Sequence, residues 1–430
     1  EYRRQVALNS LAEFLEQPNP YNRGTPLEGV PWKETFFDGM QGAYDRQLLD
    51  YYHIPFSMFT VRIFYNVDLY EKILGAREPP GDFREFLHAC GQIREYATEQ
   101  DKPIVPIAGS KYGANMFRPR YEQPFLFDLV RKCDQNRDGT ADRYEAFRAY
   151  TKGLWDFNTP DMLASRKCQL DIAQYFQAGW LAALRDDAAF MFIQGNAVMI
   201  ATGSWDAQSL VAQVGDSFAV DIFDFPIPVD DPEYGDYVTG HLSEAAVRGG
   251  IPMAVTQQSR HQEICIDFLR FCTTRENNEA WNQSITWLPV IRGTELSPLL
   301  EPFKPRIRGY AGNLDYRIST AVKLKSEGFR WTLFSGRMSP REYGDVLEDV
   351  YRRTGQDGYE ESLHKDGQNV RNLERILASL TVRQTFGRNP DRDRDAEKMM
   401  QMLESMQYFG YKLGADRARL DALQSEKETN

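Results

Sequence analysis

The stretch 190–206 (FMFIQGNAVMIATGSWD) constrains the chain more than any other. Its continuous apolar run, 197–201, reads as a short buried strand that stops at Gly203. Ser204 then stands as the expected N-cap of a new helix, with Trp205 in the first turn. A strand that passes through a glycine turn into a helix N-terminus brings backbone N–H groups and an indole to the carboxyl edge of a sheet. Open α/β sheets bind ligands at that edge. A sugar ring suits such a place, because its C–H face stacks on an indole while its hydroxyls take hydrogen bonds. A core strand followed by a core tryptophan satisfies the same residues, so this window leaves both readings open.

Composition narrows the class. A chain of 430 residues, 42% hydrophobic and 26% charged, can bury the cores of two domains or lobes. No apolar run approaches the roughly 20 residues of a membrane span. The first residues carry neither n-region nor h-region, so any signal peptide is expected to be removed or to lie outside this chain. A net charge of −11 is the wrong sign for binding a phosphate backbone, and no nucleic-acid partner is expected. Cys90, Cys133, Cys168, Cys265 and Cys272 form no CxxC or Cys/His spacing, which argues against a structural zinc. They read as small buried hydrophobes.

Strands are expected at 61–66, 104–109, 197–201, 218–226 and 249–256. Between them fall helices at 68–74, 83–99 (with Asp82 and Glu85 as a capping box) and 162–177. Another follows Ser259, with Ile264, Phe268, Leu269 and Cys272 as its apolar face. Further helices are expected at 313–328, 339–353 and 372–382. The run 387–395 reads as a charged linker, and 396–424 as a last helix with Met399, Met402, Met406 and Phe409 on one face. Alternating strands and helices predict an α/β protein with mainly parallel sheets.

The segment 134–145 (DQNRDGTADRYE) matches the twelve-residue calcium loop. Asp134, Asn136 and Asp138 take positions one, three and five, Gly139 makes the sharp turn, and Thr140, Asp142 and Glu145 complete the ligand set. The other reading is a solvated acidic turn. A lone loop of this kind would staple the fold rather than signal, so a structural Ca2+ is expected and no organic cofactor.

Several weaker motifs stand in a fixed order. They are Ile54-Pro-Phe-Ser57, Phe64-Tyr-Asn66 with Asp68-Leu-Tyr70, and Pro79-Pro80 with Asp82-Phe-x-Glu-Phe86. Phe192-x-x-Gly195, Ala197-x-Met199 and Gly203-x-Trp205 follow, then Gly249-Gly250, Ile266-Asp-Phe-Leu269 and Trp287-Leu-Pro-Val290. This set, over about residues 10 to 355, resembles the extracellular solute-binding proteins of ABC sugar importers, family 1 type. The resemblance implies a two-lobed, periplasmic-binding-protein-like (type II) α/β fold that closes on ligand like a jaw. Residues 1–57 with 250–300 would form a partial first lobe and 58–247 with 301–383 the second. Residues 384–430 would add a helical C-terminal extension. Family members begin with a strand, a helix and a further strand that precede Glu1, so the N-terminal part of the first lobe is expected to be missing here.

Carried over position by position, the resemblance implies that Trp205 stacks on the sugar while Tyr65, Ser57 and Met58 line the floor. Gly249 and Gly250 would offer backbone hydrogen bonds, Trp287 would close the first-lobe side, and Tyr316 would reach in from a later helix. Arg62 would bind a hydroxyl or carboxylate, or stand as a surface charge; core packing answers equally for Tyr65, Trp287 and Tyr316. The expected activity is non-catalytic capture of a mono- or oligosaccharide for ABC permease subunits. It would be exercised by a monomer in the periplasm or outside the cell, with any lipid anchor outside this chain. Two other classes stay open: a calcium-stapled scaffold that has lost its ligand, and a glycoside hydrolase, for which Asp206 is the one candidate carboxylate.

Overall fold

The computed structural model describes residues 8–45, 50–137, 139–245 and 249–386, with positions 400, 403, 404, 407, 410 and 414 beyond them. Among the described residues the strands are β1 (Tyr44–Asp45), β2 (Asp50–Tyr51), β3 (Ile54–Met58), β4 (Val61–Asn66), β5 (Val105–Ala108), β6 (Ala197–Gly203), β7 (Val220–Phe223), β8 (Gly249–Met253) and β9 (Leu288–Pro289). β1 and β2 form a small ribbon. β3 lies between β8 and β9 in one sheet, and the order β5-β6-β4-β7 makes another.

β3 and β4 are joined by Phe59 and Thr60 alone, so the chain steps from one sheet into the other without a crossover helix. The step is pinned at Thr60. Its hydroxyl donates to the Phe303 carbonyl at 2.6 Å, and its carbonyl accepts from Ser204 N at 2.9 Å. β4 enters the four-stranded sheet against the direction of its neighbours and pairs antiparallel with both β6 and β7. Only β5 and β6 are adjacent and parallel. The mainly parallel sheet expected from alternation is therefore corrected. β5, β6 and β7 do share a direction, but β4 is inserted between two of them.

β6 is buried at all seven positions, because helices cover both faces of the sheet. Ala197 and Ile200 face Phe192 and Leu210 on one side. Val198, Met199 and Ala201 belong to the core built on Phe86, Ile93 and Phe117. The helix Phe83–Glu99 starts where expected: the Asp82 carboxylate accepts from Glu85 N at 2.8 Å, and the Glu85 carboxylate reaches back to Gly81 N at 2.8 Å.

Several expectations are revised. The expected helices 339–353 and 372–382 are one element, Pro340–Phe386, of 47 residues, or about 70 Å at 1.5 Å per residue. Its glycines are points of close approach rather than breaks. A Cβ at Gly355 would stand 2.6 Å from the Phe147 ring, and one at Gly358 would stand 2.6 Å from Ser319 Cβ. The helix Gln262–Cys272 buries Ile266 and Leu269, while Ile264 and Phe268 are 66% and 52% exposed. Packing against Leu11, Leu15 and Trp32 selects that side. Within the C-terminal extension Leu403 packs against Leu373, Leu377 and Leu380. Met399, Met402, Met406, Phe409 and the linker 387–395 lie outside the described residues.

Candidate functional site

At the carboxyl ends of the parallel pair β5–β6 the chain makes the same move twice. β5 ends in Ala108-Gly-Ser110, and the Ser110 hydroxyl accepts from Gly113 N at 2.9 Å to cap the helix Lys111–Cys133. The Gly109 backbone is clamped by the Gln177 side-chain amide, which accepts from its N–H and donates to its carbonyl, both at 2.7 Å. β6 ends in Thr202-Gly203, followed by a single turn Ser204–Asp206 and the helix Ala207–Val214. Ser204 does not cap that helix. Its backbone N–H is committed to Thr60, and its hydroxyl is buried without a partner.

Between these two ends lies a cleft of about 400 Å³, closed on its third side by the helix Arg185–Ile193. Arg185 crosses its mouth, with the guanidinium carbon 5.3 Å from the centre of the Tyr112 ring and a salt bridge to Asp206. The second Asp206 oxygen accepts from the Thr202 hydroxyl. A carboxylate offers about four acceptor sites, so two remain for ligand hydroxyls. Burial raises the Tyr112 hydroxyl above its ordinary value, against the pull of Arg185 and a hydrogen bond from Trp205. Trp205 itself does not line the cleft and adjoins it only through Tyr112. Phe190, 58% exposed, stands on the rim.

Trp205 is half-buried, edge-on to Phe59 of the inter-sheet step at 5.0 Å and 80°. Its ring folds back over Gly203, where a Cβ would stand 2.2 Å from the indole. Gly203 has an ordinary extended backbone, so the demand is purely steric. Gly203→Ala should displace the indole and weaken sugar binding by about tenfold or more. Titration calorimetry checks this, with circular dichroism to confirm an intact fold.

The other expected contacts divide into two groups. Ser57, Met58, Gly249, Gly250 and Trp287 gather on the three-stranded sheet. Gly250 lets the Trp287 ring approach, with a virtual Cβ at 3.2 Å, and Met58 and Gly249 share a recess with Pro55 and Val290. The Ser57 hydroxyl is fully buried and donates to Asn282 at 2.6 Å, so it faces the sheet's own interior.

Arg62, Tyr65 and Tyr316 stand apart. All five Arg62 N–H donors are used: Nε to the Pro302 carbonyl, Nη1 to Val61 O and Glu244, Nη2 to Glu244 and Lys304 O, all within 3.0 Å. No donor is left for a hydroxyl or carboxylate ligand, and at 2% exposure Arg62 is not a surface charge either. Tyr65 is 1% exposed in the core, with its hydroxyl donating to the Arg77 carbonyl at 2.9 Å. Tyr316 packs on Phe157 in a separate helical cluster.

In the loop 134–145, Asp134 accepts from Gly139 N at 2.8 Å. Buried Glu145 accepts from the N–H groups of Gln135 and Asn136 at 3.0 Å and of Asp142 at 3.2 Å. Burial drives the Glu145 carboxyl up to about 7 in spite of those bonds. Asp142 caps the helix Arg143–Thr151. Asn136 and Thr140 are described, whereas Asp138 lies outside the described residues. Among the described residues no three His, Cys, Asp or Glu side chains gather as a metal site. The eighth position, Ala141, bridges Leu314 through paired backbone bonds at 2.9 Å, so a neighbouring segment closes the loop in place of a second one.

Tyr112, Ser110 and Arg185 escaped the sequence reading. A signal for two of them was there, since Ala108-Gly-Ser-Lys-Tyr112 repeats the grammar of Thr202-Gly-Ser-Trp205. Nothing local marks Arg185, which reaches Asp206 across 21 residues.

The model of the bacterial extracellular solute-binding proteins matches residues 20–301, and the chain belongs to that family. No curated protein sequence matches it. Among solved structures it is similar to a chitin oligosaccharide binding protein at 18% identity and TM-score 0.52, over 81% of this chain and 78% of that one. It is also similar to the solute-binding protein RafE in complex with raffinose (14%, TM-score 0.53, 81% and 82%). A third is an ABC transporter solute-binding protein from Thermotoga lettingae TMO bound with α-D-tagatose (14%, TM-score 0.55, 82% and 81%). At these identities the likeness concerns the fold, which is the two-lobed α/β fold of such receptors. No described helix is long and apolar enough to cross a membrane.

Proposed function

We propose that this protein captures a small neutral carbohydrate outside the cytoplasm and presents it to an ABC permease, without chemistry. The observation that carries this reading is the cleft at the ends of β5 and β6. It joins the Tyr112 ring, with Trp205 next to it outside the lining, to a polar cluster, Arg185, Asp206 and Thr202. Aromatic faces take sugar C–H groups, and a carboxylate held by a guanidinium takes paired hydroxyls in fixed geometry. The sugars bound in two similar structures, and the oligosaccharide in the name of a third, support the ligand class. Because Arg185 is already neutralised by Asp206, uncharged sugars are favoured over acidic ones.

Titration calorimetry against neutral mono- and oligosaccharides tests the proposal. Saturable binding to one of them is expected, with no hydrolysis at stoichiometric protein. Turnover would move Asp206 to a hydrolytic role, and a folded sample with no heat for any sugar would favour a scaffold.

The loop 134–145 is proposed to hold a structural Ca2+ through Asp134, Asn136, Asp138, Thr140, Asp142 and Glu145. What supports it is the complete ligand spacing together with the Ala141–Leu314 bridge that closes the loop. Calcium bound to the folded state alone raises its stability. The melting temperature should therefore rise by a few degrees with calcium and fall back with chelator. Asp134→Ala should abolish the difference; identical melting curves for the parent protein in calcium and chelator would rule the ion out.

A further inference from the structure

A second cavity shares no lining residue with the cleft. It is walled by Arg118 and Glu122 of the helix Lys111–Cys133, Arg166 of Pro160–Ala173, Arg330 of Arg330–Phe334, Tyr343 and Tyr316. Three guanidinium groups meet one carboxylate there, and three positive charges less one negative leave +2.

Glu122 is the carboxylate they share; with Tyr316 and Tyr343 it holds Arg330 above its ordinary value against burial. Arg166 is 9% exposed, and its donors reach carbonyls of Phe157 at 2.6 Å and Pro340 at 3.2 Å, with a weak contact to Met162 Sδ at 3.8 Å. Among the described residues no carboxylate lies within 4 Å of Arg166 or Arg330. Among the described residues Arg118, 38% exposed, meets Glu122 through its Nε at 3.6 Å, just beyond hydrogen-bond reach. Asp156, the next carboxylate acting on Arg166, accepts from the N–H of Asn158 within its own turn. The Arg166 guanidinium also lies 5.3 Å from the centre of the Tyr343 ring, and the chain passes so close that a Cβ at Gly344 would stand 2.7 Å from its Nη1.

A buried guanidinium is costly without a counter-charge. A buried lysine escapes by losing its proton, but arginine does not. Burial does pull Arg166 below its ordinary value, yet that value starts far above neutrality. The charge therefore calls for an anion. The cavity volume is about 40 Å³, room for roughly three water-sized spheres. That fits a compact oxyanion and excludes a sugar ring.

We infer that this cavity binds a tetrahedral oxyanion, inorganic phosphate or sulfate, held by Arg118, Arg166 and Arg330. Planar guanidinium forks match the oxygen edges of such an ion, which takes two hydrogen bonds from each. The site is independent of the carbohydrate cleft and stands or falls separately from it.

The full chain is titrated with inorganic phosphate by calorimetry and melted in phosphate, sulfate and chloride at matched ionic strength. Phosphate should bind saturably at one site. It should also raise the melting temperature by about 2 °C or more over chloride once well above its dissociation constant. Arg330→Gln and Arg118→Gln, both at less buried positions than Arg166, should each weaken phosphate binding at least tenfold and leave sugar binding unchanged. Equal melting temperatures in all three salts with no phosphate heat would overturn the inference. Full phosphate affinity in both variants would overturn the assignment to this cavity.

Discussion

Replacing Trp205 by alanine should lower sugar affinity by about 100-fold, roughly 3 kcal/mol at 1.4 kcal/mol per factor of ten. The melting temperature should fall by only a few degrees. The two effects separate because Trp205 is half-buried rather than in the core: it touches Phe59 by its edge and folds over Gly203. Its removal takes the indole away from Tyr112 of the cleft wall, but opens no sealed cavity. Titration calorimetry with the best sugar, beside a thermal melt, measures both. A variant that no longer folds would place Trp205 in the core, and one that binds sugar normally would remove the indole from the site.

Arg62→Ala should act the other way, costing about 3–5 kcal/mol of stability because it breaks a buried ion pair from one side. Arg62 ties β4 to the 302–304 segment and to Glu244 through four hydrogen bonds. Glu244 would keep Arg120 at 2.6 Å and the Arg306 N–H at 2.9 Å, but lose its bidentate partner. Burial alone raises the Glu244 carboxyl. The hydrogen bonds and charge of Arg62, with help from Arg120, instead hold it below its ordinary value of 4.5.

The sign of the pH effect follows from that depressed value. A carboxyl lowered on folding contributes stability above the unfolded value, and the contribution is lost as pH falls through the folded one. The parent protein and the variant should therefore differ most near neutral pH and converge in acid below about pH 4. Urea denaturation at the two pH values measures this. A stability loss below about 1 kcal/mol at neutral pH would mean Arg62 contributes no more than an exposed pair.

Local chemistry made much of the architecture legible. β6, the helix Phe83–Glu99 with its Asp82 cap, and the Gly75 stop with φ +76° follow from apolar runs, capping residues and glycine. The glycine turn before Trp205 was legible for the same reason, although Ser204 does not cap the helix that follows. What failed were cases in which a partner far along the chain outweighed the local signal. Gly344, Gly355 and Gly358 look like helix breakers but admit neighbouring groups into one unbroken helix. Pro119 and Pro124 sit inside the helix Lys111–Cys133. Arg62 reads alike as a ligand contact and as a surface charge until residues 302–304 and Glu244 close around it.

The candidate site divides along the same line. The sequence by itself determined that both strands end in a glycine–serine turn, because backbone conformation is set within a few residues, though only Ser110 of the two serines caps a helix. Tertiary structure alone decided that the turns stand side by side, and that Arg185 meets Asp206 between them. It also decided that Tyr65 and Arg62 face inward while Trp205 stays half open. Burial and ion pairing depend on what arrives from tens or hundreds of residues away, and no local pattern encodes that arrival.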